Sequence, residues 1–74
     1  MFYINEVVYI AISKDINILS LNGRFFLLKQ GVYKKTVVDI YSLNELNYFV
    51  FDFDQSGKDY IEYISDGRNL QKLI

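Results

Sequence analysis

Apolar residues that alternate with period two, tight-turn signals between the alternating runs, and the lack of any sustained helical period predict an all-β chain. The expected architecture is a small five- or six-stranded antiparallel barrel or sandwich, SH3-like or OB-like, with one short helical corner and a C-terminal segment that forms either a short helix or a closing strand.

The elements follow in order. Residues 2 to 12, FYINEVVYIAI, set Phe2, Ile4, Val8, Ile10 and Ile12 on one side and Tyr3, Asn5, Val7, Tyr9 and Ala11 on the other. Glu6 interrupts the apolar side and marks an edge or a bend. Lys14-Asp15 turns the chain. Asn22-Gly23, the strongest short hairpin signal, joins residues 16 to 21 to a strand over Arg24 to Lys29. With a two-residue loop Leu19 faces Phe26 and Ile18 faces Leu27, and both strands are apolar on both faces, which predicts a hairpin at the centre of the fold or wrapped around a barrel. After Gln30-Gly31, residues 32 to 41 alternate again as one strand, with Val32, Thr36, Val38 and Ile40 opposing Tyr33, Lys35, Val37, Asp39 and Tyr41. Ser42 followed by Glu45 fits a capping box, and the single turn it would start, Leu43 to Asn47, supplies the helical corner.

The segment Tyr48 to Ser65, YFVFDFDQSGKDYIEYIS, reads as a hairpin whose faces separate into apolar side chains and tyrosine plus carboxylate. A three-residue loop over Gln55, Ser56 and Gly57, with Gly57 as a G1 bulge, closes Asp54 against Lys58. Phe53, Phe51 and Phe49 then face Asp59, Ile61 and Tyr63 on the core side, while Asp52 meets Tyr60, Val50 meets Glu62 and Tyr48 meets Ile64 on the outer side. A two-residue loop would put Asp52 opposite Asp59, a like-charge contact that disfavours it. Beyond Ser65-Asp66-Gly67, the residues Leu70, Leu73 and Ile74 recur at helical spacing behind a Ser65 or Asp66 cap, though a short strand fits as well.

Seventy-four residues with no Pro- or Gly-rich linker form one domain, 1–74, close to the size below which a core needs staples. With neither cysteine nor histidine, the chain offers no disulfide and no zinc site of the usual kind. Apolar types make up 51% of it, more than so small an interior holds, so apolar surface is expected at a partner or self-association interface. The longest uncharged apolar run, Val7 to Ile12, is far short of a membrane helix, and Met1 leads into strand-like sequence without signal-peptide features. A soluble cytoplasmic protein without membrane association is expected. Phe, Tyr, Met, Ile, Asn and Lys, whose codons are rich in A and T, account for 35 of 74 residues, which points to an AT-rich genome such as that of a Firmicute, its phage or another mobile element.

Catalytic chemistry finds little support. The usual bases and nucleophiles, histidine and cysteine, are missing, and the carboxylates, tyrosines, serines and lysines show no triad, phosphate-loop or metal-hydrolase spacing. No enzyme, no metal site and no cofactor are therefore expected. Asp52-Phe53-Asp54-Gln55-Ser56-Gly57 matches the first half of a calcium loop, but Tyr63 stands where the bidentate glutamate belongs. Residues 45 to 66 hold Glu45, Asp52, Asp54, Asp59, Glu62 and Asp66 against Lys58 alone, a net charge of −5 in a chain whose total is −1.

That asymmetry, together with Tyr48 and Tyr60 on the acidic face, predicts a non-enzymatic protein-binding module, a small phage or mobile-element protein that inhibits a host protein with a basic surface. Its contact residues are Tyr48, Asp52, Asp54, Tyr60 and Glu62. An alternative is a small barrel that binds single-stranded nucleic acid through Arg24, Lys34 and Lys35, for which a sequence pI near 5.1 is a poor match. A third possibility is a homo-oligomeric structural subunit, suggested by the apolar excess. The run Asp54 to Tyr63, DQSGKDYIEY, resembles the turn region of small phage-encoded inhibitors of uracil-DNA glycosylase, which mimic DNA. The resemblance covers ten residues of a kind common to acidic hairpins, and it assigns no residue a role.

Overall fold

The structure, a computed structural model, describes residues 1–20, 22–54 and 61–73. Its strands are β1 (Val7–Ile12), β2 (Ile16–Leu19), β3 (Phe25–Leu28), β4 (Gly31–Thr36), β5 (Asp39–Leu43), β6 (Leu46–Asp52), β7 (Glu62–Ser65) and β8 (Leu70–Lys72). They make three small antiparallel sheets, β4-β1-β8, β2-β3 and β5-β6-β7, around one core. The chain is all-β as expected, but the described strands do not close into a barrel and outnumber the five or six expected. The run 32 to 41 divides in two, and the tail pairs as a strand.

The core is built from alternate positions. Val8, Ile10 and Ile12 of β1 point inward together with Leu28, Val37, Phe49, Phe51, Phe53 and Ile61. Phe53 carries the joint between sheets: Tyr33 of β4 and Tyr63 of β7 meet it edge-on, with ring centroids at 5.4 Å and 6.1 Å, and Phe2 packs edge-on against Phe49 at 5.5 Å. β1 begins only at Val7. Before it, Asn5 adopts φ +73°, the Glu6 N–H donates to the Tyr3 carbonyl, and the Glu6 carboxylate accepts from the Tyr3 N–H, so the polar residue in the apolar run marks a bend.

The run 32 to 41 breaks at Val37-Val38 because the chain changes sheets there. The Val37 N–H donates to Glu6 beside β1 at 2.9 Å, and the Val38 N–H donates to Val50 of β6 at 2.9 Å. The expected helical corner is instead a two-residue hairpin turn. Asn44 and Glu45 take φ +52° and +67°, the pattern of a type I′ turn, and Leu43 pairs with Leu46. Ser42, the would-be cap, donates across the hairpin to Asn47 Oδ1 at 2.6 Å.

The described residues contain no helix. At the tail Ser65 and Asp66 do cap backbone amides, those of Gly67 and Arg68, but they cap a turn. Gly67 sits at φ +100°, and β8 then pairs with the free edge of β1, placing Tyr9 against Gln71.

The β2-β3 hairpin pairs Ser20 with Arg24 and Ile18 with Phe26, one residue away from the two-residue-loop register, and Gly23, whose N–H donates to the Ser20 carbonyl, takes φ +80°. It lies at the side of the fold and not at its centre. Leu28 is buried, whereas Leu19, Phe25 and Leu27 face outward, Phe25 at 76% exposure. A hairpin apolar on both faces can still be peripheral when only one face is covered.

Candidate functional site

The outer face of β5-β6-β7 holds most of the expected contact residues. β6 pairs Phe51 with Tyr63, Val50 with Ile64 and Asp52 with Glu62, two residues from the register expected from a three-residue loop. The two faces survive this slip because side chains alternate with period two. Phe49, Phe51 and Phe53 stay in the core, and Tyr48, Asp52 and Glu62 stay outside. Residues 55 to 60, on which the expected Gly57 bulge and the expected contact residue Tyr60 fall, lie outside the described residues.

Asp52 and Glu62 are exposed and stand directly opposite one another. The Phe53 N–H donates to Ile61 at 2.8 Å, which makes the adjacent Asp52/Glu62 pair non-hydrogen-bonded, the kind with the closer side chains. Like charges in that position oppose folding. Asp52 also accepts a hydrogen bond from the Asp54 N–H at 2.9 Å, which turns the chain into the loop. Asp54 itself is half-buried.

Tyr48 stacks on Tyr41 of β5, with ring centroids 5.4 Å apart and planes at 22°. The pair is one wall of a shallow cleft of about 460 Å³ whose other side is Ile64, Asp66, Arg68 and Asn69. Arg68 forks onto Asp66 through Nε at 2.8 Å and a terminal nitrogen at 2.7 Å. This hydrogen-bonded guanidinium holds the Asp66 carboxyl below the usual carboxylate range, and Asp66 raises Arg68 in turn. The arginine is 89% exposed, so the contact orients the two side chains and adds little to stability. Asn69 pins the cleft floor: its side-chain amide donates to the Ala11 carbonyl at 3.0 Å and to the Tyr63 hydroxyl at 2.8 Å.

Tyr41, Ile64, Arg68 and Asn69 belong to this face although the charge pattern alone does not single them out. The Tyr41–Tyr48 pairing follows from a two-residue turn at Asn44-Glu45, which was the available signal. The basic residues are dispersed. Lys34 and Lys35 are neighbours on β4 and so point to opposite faces, Lys35 with its Nζ 4.6 Å above the Phe53 ring, and Arg24 lies at the end of the β2-β3 loop. No three His, Cys, Asp or Glu side chains among the described residues converge to hold a metal ion, and no helix is long and apolar enough to cross a membrane. Compared with family models, curated proteins and solved structures, the chain matches none.

Proposed function

We propose that the protein is a non-enzymatic binding module that docks on a basic protein surface through the outer face of β5-β6-β7 and, as the product of a phage or other mobile element, inhibits that protein by covering it. The observation that carries this is the exposed Asp52/Glu62 pair beside the Tyr41–Tyr48 stack. Acid set against acid weakens the hairpin, while stacked tyrosines next to carboxylates offer rigid contact area and a field that steers a cationic partner. Nucleic acid is a poorer candidate, because Arg24, Lys34 and Lys35 do not form one face.

Partners retained by the immobilised protein from a host lysate at low salt and released at high salt supply the test. Asp52→Asn, Asp54→Asn and Glu62→Gln together should slow the on-rate of a basic partner about tenfold or more at low salt. An on-rate that does not change with these substitutions refutes docking through this face.

A further inference from the structure

Among the described residues, the acidic face ends at a strand edge with no partner strand, hollow on both sides. Among the described strands β7 pairs with β6 alone. Since Phe53 bonds Ile61, the ladder's hydrogen-bonded pairs are Phe53/Ile61, Phe51/Tyr63 and Phe49/Ser65, and Glu62 and Ile64 turn their N–H and C=O groups away from β6. The cleft of about 460 Å³ lies against Ile64 and Asp66, and a second one of about 160 Å³ is lined by Ile12, Lys14 and Ile16; Tyr63 and Asn69 line both. A strand laid along this edge sends alternate side chains to the two sides of the sheet and so enters both hollows.

We propose that the edge of β7 left open among the described strands receives an extended segment of the partner protein as an added, antiparallel strand, with an apolar residue facing Ile64 and, two positions after it, a Lys or Arg facing Glu62 and Asp52. The inference rests on the docking function proposed above and specifies how the partner engages. Charge selects the occupant. Glu62 and Asp52 stand opposite one another at one end of the edge with the outward Ile64 two residues further on, whereas Asp66, at the other end, is already forked by Arg68, so the Glu62 end is the one that calls for a cation. A basic side chain on the incoming strand meets the Glu62 and Asp52 carboxylates, and its apolar residue covers Ile64, which is 46% exposed. A second copy of this chain is a poor occupant. Antiparallel pairing of two β7 strands about Ile64 sets Glu62 of each copy against an Asp66 whose charge Arg68 already balances, so a second copy brings no free cation to the Glu62/Asp52 pair, as a basic strand does.

The test uses the intact protein and three capped heptapeptides. The first is Thr-Thr-Thr-Val-Thr-Lys-Thr; the second carries N-methyl groups on the Val and Lys amides, which would face β7; the third carries them on the two Thr amides that flank Val, which would face solvent. Binding is followed by NMR at low salt, with hydrogen exchange at Glu62 and Ile64. The first and third peptides are expected to bind and to slow exchange at those two amides, and the second to lose about tenfold or more in affinity along with its backbone bonds. Equal binding by the second and third overturns strand addition and leaves docking by charge standing. Failure of all three to bind also overturns it, while the on-rate of the captured partner judges the docking function separately.

Discussion

Gly67 shows how much of the site depends on one backbone position. Its φ of +100° turns the chain from β7 towards β8, and a Cβ added there would lie 3.3 Å from Cε2 of Phe49. Phe49 is buried and braced edge-on by Phe2, so it has little room to yield. Gly23 is the natural control, with φ +80° and nothing within 4 Å of an added Cβ. Gly23→Ala should carry the backbone cost alone, about 1 kcal/mol, whereas Gly67→Ala should add steric displacement and reach roughly 2–3 kcal/mol. Urea denaturation of the two variants separates the contributions, and equal losses would mean that Phe49 moves aside freely. The same turn sets Asp66, Arg68 and Asn69 around the cleft, so Gly67 shapes the binding face without touching a partner.

At the scale of elements, turn type decides register. Asn44 and Glu45 both lie at positive φ, and of the two only asparagine is suited to it. Glu45→Gly should therefore stabilise the β5-β6 hairpin by about 0.5–1 kcal/mol, raising the melting temperature by several degrees in a thermal scan. An unchanged or lowered melting temperature would argue against the type I′ turn. The Ser42/Glu45 spacing reads equally as a helix cap, and that ambiguity hides both the turn and the Tyr41–Tyr48 stack. Elsewhere the strands and their inward faces are legible because alternation is local: Val8, Ile10 and Ile12, or Phe49, Phe51 and Phe53, declare themselves. Register is less legible. Ser20 closes the first hairpin against Arg24, one residue off the two-residue-loop register, and the acidic hairpin is displaced by two, an even slip that leaves its faces intact. The pairing of β8 with β1 joins residues about sixty positions apart and has no local signature, so the helical spacing of Leu70 and Leu73 had nothing to compete with it.

Across the whole molecule, charge is sorted unevenly, whereas exposed apolar side chains occur on all three sheets. The outward Leu19, Phe25 and Leu27 hold part of the apolar excess on the β2-β3 hairpin, while residues 45 to 66 carry a net −5, leaving +4 on the rest of the chain. Such a separation does not help a 74-residue fold, whose margin of stability is only a few kcal/mol. The Asp52/Glu62 pair allows folding and binding to be weighed on one residue. A lysine in place of Glu62 would face Asp52 across the ladder, exchanging a repulsive pair for an attractive one worth roughly 0.2–1 kcal/mol. Glu62→Lys should then raise the urea midpoint without changing the slope, and at the same time reduce capture of a basic partner at low salt. If the variant is more stable and still captures the partner as well as the parent chain does, the acids serve only to keep a strand edge soluble. Gain of stability with loss of capture is the result expected of a face kept acidic for its partner at the expense of its own hairpin.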